Sequence, residues 1–370
     1  MKNSLSPIHL TAPDIDVAEV SLFGPGVGEC IVIHAGAGHW YVVDSCLSPG
    51  KKRSVALEYL ESIGVDVRNQ VKGILLTHWH SDHIGGAFSL VESCENARIH
   101  ISSALNTKEA LHLAALYKAD PFAGTDKEIR EFAEIIRHLH QRKEPHRLDP
   151  VKARHTFFDV RTTDIVSRLV SLSPSPAAVT QTISNLAHRL PKQGSPRVRN
   201  LVPESVNLNA VAIHFSFGQF SAVLGSDLEE TGNSNTGWSA VFSSQLPGEL
   251  SLQSADLFKV SHHGSETGHH DEIWTTLLKS NPISIATAYS RSGLPSDENI
   301  ERIRSKSAEF ILTSRSNASG RGGRDKVVER ELRSIVKSMA PIQGKMGHIQ
   351  IRASSTGVVS TTGNNNCVVY

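Results

Sequence analysis

Residues 74–86 read I-L-L-T-H-W-H-S-D-H-I-G-G, so His78, His80, Asp82 and His83 crowd together directly behind an apolar run. Imidazoles and a carboxylate at the end of a buried strand are costly to desolvate unless something pairs with them. The partner such a set suits is a metal ion. Alternation along an extended chain sends His78 and His80 to the same side, while Asp82 and His83 follow on the turn and could serve a second ion. Imidazole and carboxylate without thiolate favour zinc, manganese or iron over magnesium.

Three later or earlier segments supply complementary groups. In S-A-V-L-G-S-D-L-E-E, Asp227 stands just past an apolar strand, where a carboxylate could bridge two ions; the following L-E-E also fits a helix N-cap. L-F-K-V-S-H-H-G-S ends on the adjacent pair His262 and His263, of which one is expected to coordinate. V-V-D-S puts Asp44 at a strand end, where it is expected to orient a ligand through a hydrogen bond. All of these residues follow strands at their C-terminal ends and should gather along one edge of packed sheets. His262, His269 and His270 are candidates for moving protons.

The elements that must position them are legible in outline. A-E-V-S-L-F-G, G-E-C-I-V-I-H-A-G and H-W-Y-V-V-D-S read as strands separated by glycine. S-V-A-L-E-Y-L-E-S-I-G has helical spacing, and V-K-G-I-L-L-T-H reads as a buried strand. From about 105 to 204 the pattern turns helical, in T-K-E-A-L-H-L-A-A-L-Y-K-A-D, D-K-E-I-R-E-F-A-E-I-I-R-H-L-H-Q-R-K and A-A-V-T-Q-T-I-S-N-L-A-H-R-L. Strands resume at N-A-V-A-I-H-F-S-F and continue to a final hairpin, G-H-I-Q-I-R-A-S-S-T-G-V-V-S-T. This predicts an α/β fold in two strand-rich halves, 1–104 and 205–370, around a helical insertion or cap at 105–204, which is too long for a loop.

Composition bounds the rest. The 370 residues are 39% hydrophobic and 20% charged, as in a globular protein, and 38 Lys+Arg against 37 Asp+Glu leaves almost no net charge. A protein that coats nucleic acid non-specifically is more basic, so any polyanion binding must be local. Arg168, Arg189, Lys192, Arg197 and Arg199, with Arg315, Arg321, Arg324 and Lys326, could form such a track. The four cysteines show no C-x-x-C spacing, which argues against a disulfide framework or a thiolate zinc site. No leading apolar stretch and no long apolar run is present, which makes the cytoplasm the expected compartment, with no membrane partner.

T-H-x-H-x-D-H-x-G-G at 77–86 resembles the signature of the metallo-β-lactamase superfamily. The ordered set F-G-P-G-V-G-E-C-I-V-I…V-V-D-S, T-H-W-H-S-D-H-I-G-G, N-A-V-A-I…V-L-G-S-D-L-E and L-F-K-V-S-H-H-G-S is similar to its ComEC-like branch, named for a domain fused to a bacterial DNA-uptake channel. The resemblance covers roughly 18–104 and 205–360. It implies a four-layer αββα sandwich and a site for two divalent ions, zinc ahead of manganese. His78 and His80 would hold one ion, Asp82 and His83 the other, and Asp227 would bridge them. Since a Gly-His-Gly motif common in the superfamily aligns with H-H-G, His263 rather than His262 would be the last ligand. Many members carry another histidine before the bridging aspartate. His138, His140, His155 and His188 fall in that interval, none at an apolar strand end, and Asn209 in N-L-N-A-V would stand nearby instead.

The activity implied is hydrolysis by a metal-bridging hydroxide, with Asp82 and Asp227 at the reacting atoms and His262 handling a proton. A phosphodiesterase or nuclease acting on nucleic acid or a nucleotide is the first expectation, with a protein partner that gates it. The alternatives are a hydrolase of small esters, lactones or thioesters, and a metal-binding subunit of a larger assembly. A redox di-iron site is disfavoured, because flavodiiron relatives carry Glu where this chain has His80.

Overall fold

The computed structural model describes residues 5–24, 28–50, 53–105, 127–142, 148–161, 165–189, 206–314 and 346–370. Its strands in chain order are β1 (Ala18–Gly24), β2 (Cys30–His34), β3 (Trp40–Val43), β4 (Val71–Leu76), β5 (Arg98–Ser102), β6 (Leu148–Val151), β7 (Thr156–Arg161) and β8 (Val166–Ser171). They continue as β9 (Ile213–Phe217), β10 (Phe220–Leu224), β11 (Ala255–Lys259), β12 (Leu278–Ala286), β13 (Glu309–Leu312), β14 (Gly347–Ser354), β15 (Gly357–Gly363) and β16 (Val368–Val369).

Two eight-stranded sheets result, ordered β15-β14-β1-β2-β3-β4-β5-β6 and β16-β13-β12-β11-β10-β9-β8-β7. Each has an antiparallel part and a parallel part: β3 to β6 run parallel in the first, and β10 to β13 in the second. Of these, β4, β10 and β13 are largely apolar and buried, as strands covered on both faces tend to be.

Three apolar layers hold the sheets. Val20, Ile31, Leu75, Phe215, Leu257 and Ile349 fill the space between them. The helices Val55–Ser62, Ala87–Ser93 and Lys127–Gln141 cover the outer face of the first sheet through residues such as Leu57, Leu60, Leu90 and Phe132. Gly237–Ser243 and Asp297–Arg304 cover the second through Trp238, Val241, Ile300 and Ile303. The chain is therefore an α/β four-layer sandwich, helix–sheet–sheet–helix, as expected.

The interval 105–204 differs from the purely helical reading. It contains the helices Lys127–Gln141 and Pro176–Arg189, but also β6, β7 and β8, which finish the lateral edges of both sheets. L-D-P-V is short and carries a proline, which an edge strand tolerates, so its pattern is weak. β7 is largely exposed, which blurs its alternation. The stretch 107–120, read as helical, lies outside the described residues. Among the described residues no helix is long and apolar enough to cross a membrane.

Candidate metal centre

Parallel strands in both sheets release their chains at the same edge, and side chains just beyond those ends meet there. Asp44 follows β3, His78 follows β4, Asp227 follows β10 and His263 follows β11. Close backbone approach brings the last two together. A Cβ on Gly225 would lie 2.1 Å from Ser261 Oγ, so a side chain there would push the β10 and β11 exits apart. His262 and His263 both adopt left-handed backbone, at φ 47° and 52°, which non-glycine residues rarely do. The turn is held in that shape by His262 N–H donating to Ser226 O at 2.9 Å and Gly264 N–H to Ser261 O at 2.9 Å.

His83 lies on the single helical turn Ser81–Ile84 and is fully buried. Its Nε2 stands 3.2 Å from Asp227 Oδ2 and 3.6 Å from Asp82 Oδ2. His263 Nε2 lies 3.2 Å from Asp82 Oδ2 and 3.5 Å from Asp227 Oδ2, and His78 Nε2 is 3.9 Å from Asp227 Oδ2. Two sets of ligand atoms, each gathered within 4.8 Å, share one carboxylate: Asp82, His83, Asp227 and His263 form one, and His78, His80 and Asp227 the other.

This donor set fits divalent metal. His78 Nε2, His83 Nε2 and Asp227 Oδ1 are buried with no hydrogen bond; the His83–Asp227 approach is close enough for an ion pair but not aligned as a hydrogen bond. Such orphaned atoms are rare in native interiors and call for a ligand. The thiols do not compete: Cys30, Cys46 and Cys94 are buried, and burial raises each of them.

The protonation of the metal-free cluster follows from crowding. Burial alone would raise Asp82 and Asp227, but the facing imidazoles of His83 and His263 outweigh it and hold both carboxyls below the usual range. Burial would likewise lower His83 and His263. The Asp227 and Asp82 carboxylates instead raise His83 well above its ordinary value and push His263 up to about 9. For His78, burial and the neighbouring imidazoles win, and it stays neutral.

A set of supports lies behind these groups. Asp44 accepts from Thr77 N–H at 2.8 Å and Thr77 Oγ1–H at 2.7 Å, and its Oδ2 meets His83 Nδ1 at 2.7 Å. That contact fixes which imidazole nitrogen faces the cluster. On the other side, His263 Nδ1 reaches Thr287 Oγ1 at 3.0 Å, and Thr287 Oγ1–H donates to Glu29 Oε2 at 2.5 Å. Glu29 pairs with Lys259 at 2.6 Å, both almost wholly buried, and Lys259 Nζ also donates to Ser226 O at 2.9 Å. The sequence reading missed Thr77, Glu29, Lys259 and Thr287. Lys259 within A-D-L-F-K-V and Glu29 within G-E-C-I-V-I were legible signals, since opposite charges inside apolar strands are buried only as pairs.

Other expected residues fall elsewhere. His262 turns its Nδ1 towards Glu229 Oε1 at 2.9 Å and Thr267 Oγ1 at 2.8 Å, away from the carboxylate cluster. Asn209 donates to Thr182 Oγ1 and, with His78, lines a small cavity. His269 contacts Asp271, and His270 stacks on Phe242. His140 and His188 bond backbone carbonyls on their own helices, and His138 packs edge-on against Phe88. Of the basic track, Arg168 is engaged by Leu250 O at 2.8 Å, and Arg189 closes its helix. Lys192, Arg197, Arg199, Arg315, Arg321, Arg324 and Lys326 lie outside the described residues.

Among solved structures the chain is similar to the metallo-beta-lactamase SMB-1 bound to 2-mercaptoethanesulfonate, at 14% identity and TM-score 0.34 over 70% of this chain and 82% of that one. It is also similar to Igni18, a metallo hydrolase from the hyperthermophilic archaeon Ignicoccus hospitalis, at 11% identity and TM-score 0.36 over 78% and 91%. A third is the hydrolase AbOPH of the beta lactamase superfamily, at 13% identity and TM-score 0.30 over 61% and 75%. At such scores these likenesses carry no argument of their own. A comparison with curated proteins gives no match. Residues 23–156 match the family model of the metallo-beta-lactamase superfamily. That span contains Asp44, His78, His80, Asp82 and His83, so over this part the chain is similar to the metallo-beta-lactamase superfamily.

Proposed function

We propose that the chain is a metal-dependent hydrolase of phosphodiesters, with nucleic acid or a nucleotide as substrate, and that His78, His80, Asp82, His83, Asp227 and His263 hold two divalent ions, zinc first and manganese second. The observation that carries this reading is the Asp227 carboxylate shared between two groups of ligand atoms. Two ions held there would activate water and neutralise charge on the attacking and leaving oxygens of an in-line displacement.

The chain's own residues supply the rest. Asp44 and Thr287 orient His83 and His263 by their hydrogen bonds. Lys259 offsets the negative charge gathered around Asp227, whose Oδ1 is 3.9 Å from Nζ. His262, partly exposed and paired with Glu229, would on this reading give a proton to a leaving group. The similarity of the ordered motifs to the ComEC-like branch supports phosphodiesters over small esters. A partner protein that gates the site belongs to the same reading, since an ungated nuclease would damage its own cell.

The test is turnover with Zn2+ and Mn2+ separately on bis-p-nitrophenyl phosphate, single- and double-stranded DNA, RNA and a thioester. Metal-dependent phosphodiester cleavage that disappears in Asp227→Ala supports the reading. Thioester cleavage alone would move the chain to the small-ester class.

A further inference from the structure

A second group of histidine and aspartate stands apart from the centre described above. The register of β5 and β6 pairs His100 with Asp149, so both side chains leave the same face at the lateral edge of the first sheet. The chain then crosses to the second sheet, and His155 stands just ahead of β7. Its backbone is fixed there: His155 N–H donates to Ser171 Oγ at 2.9 Å, and Ser171 N–H donates to His155 O at 2.9 Å.

The three side chains offer ligand atoms gathered within 4.8 Å of one another. His100 is 3% exposed, and its Nδ1, 3.8 Å from Asp149 Oδ2, has no hydrogen bond. His155 Nε2 is also buried without one. Two orphaned imidazole nitrogens beside one carboxylate are an expensive arrangement to leave empty. The other neighbours are Phe157, which packs edge-on against both rings, and Arg98, which reaches Asp149 Oδ2 at 3.1 Å.

We propose that His100, Asp149 and His155 form an additional divalent-metal site, zinc being the best-suited ion, which clips the edge strand of one sheet to the edge of the other. Two imidazoles and a carboxylate are a zinc donor set, and water completes the fourth position from the partly exposed Asp149 side. Arg98 and His100 approach the same Asp149 oxygen, Oδ2, so an ion bound there would share or replace the Arg98 contact. Both imidazoles are neutral, the form that ligates: burial lowers His155 and takes His100 down to about 3.

The experiment is zinc counting on the full-length chain after equilibrium dialysis against micromolar Zn2+, with His155→Gln and Asp149→Asn beside wild type. The site predicts one zinc fewer per chain in each variant. In an Asp227→Ala background it also predicts a zinc-induced rise in Tm that His155→Gln removes, which separates this site from the centre at Asp227. Equal zinc counts in wild type and both variants would overturn the proposal, as would an Asp227→Ala chain whose Tm ignores zinc. If His155→Gln does not fold, Asp149→Asn, whose side chain is only partly buried, decides alone.

Discussion

The two histidine–aspartate clusters are made of the same residue types, yet their surroundings set opposite charge states. At the strand-end cluster, Asp44, Asp82 and Asp227 surround the imidazoles, and His83 and His263 are raised. At the sheet edge, one carboxylate already shared with Arg98 faces two imidazoles, and burial keeps both neutral. The number of carboxylates, rather than the presence of histidine, decides whether a buried cluster stores charge. The supports differ in the same way. Behind the strand-end cluster lie a buried ion pair and two hydroxyl relays, whereas the edge cluster is flanked by Ser171, Phe157 and the half-exposed Arg98.

The comparison breaks most visibly at Asp227, the carboxylate shared by both halves of the strand-end cluster. Several kcal/mol of charge stabilisation depend on the ions it would hold, so Asp227→Ala should cut phosphodiester turnover by at least about 1,000-fold. Circular dichroism should show the fold retained. Next in size is Lys259→Met, which leaves Glu29 charged and buried without its cation. A loss of about 3–5 kcal/mol is expected in urea unfolding, and adding Glu29→Gln should restore part of it. If Lys259→Met is neutral, the ion pair is not a support of the centre.

Asp44→Asn keeps the shape but takes the carboxylate from His83 Nδ1. Zinc affinity, measured by chelator competition, should fall about 10–100-fold with the fold intact. The last prediction is one of stability and concerns the neutral histidines. His34 and His214 are lowered to about 4, and His100 and His348 to about 3, all chiefly by burial. Between the ordinary value of 6.5 and those values the unfolded chain binds protons the folded chain refuses. The contribution of these four histidines is therefore full above about pH 6.5 and falls as pH drops towards 3, by at most ~1.4 kcal/mol per pH unit for each. Urea melts at pH 7 and pH 5 should show this, and His348→Phe should reduce the slope; an unchanged slope would remove His348 from the account.

Much of the strand-end cluster was legible in the sequence because its ligands sit in contiguous motifs after apolar runs. T-H-W-H-S-D-H and V-L-G-S-D announce both the strand and the group at its end. The β1–β4 and β9–β15 strands were legible for the same reason. The edge strands β6 to β8 were not, since L-D-P-V and T-F-F-D-V-R have little burial to pattern them. The sheet-edge cluster was illegible in principle. His100, Asp149 and His155 meet only through the β5–β6 register and the crossover between sheets, which no local spacing encodes. His155 was weighed as a ligand for the strand-end centre, and the fold carries it to a different neighbourhood. Lys259 and Glu29 fall between these cases, visible as charges in apolar strands but paired only by the fold.

The central claim is that the side chains beyond β4, β10 and β11 form a metal centre. Anomalous diffraction at the zinc edge, from crystals of the full chain equilibrated with Zn2+, tests it most directly. The account predicts anomalous density among His78, His83, Asp227 and His263, at about 2.0–2.2 Å from their nitrogen and oxygen atoms. A fully occupied protein lattice with no anomalous density at that place would contradict it.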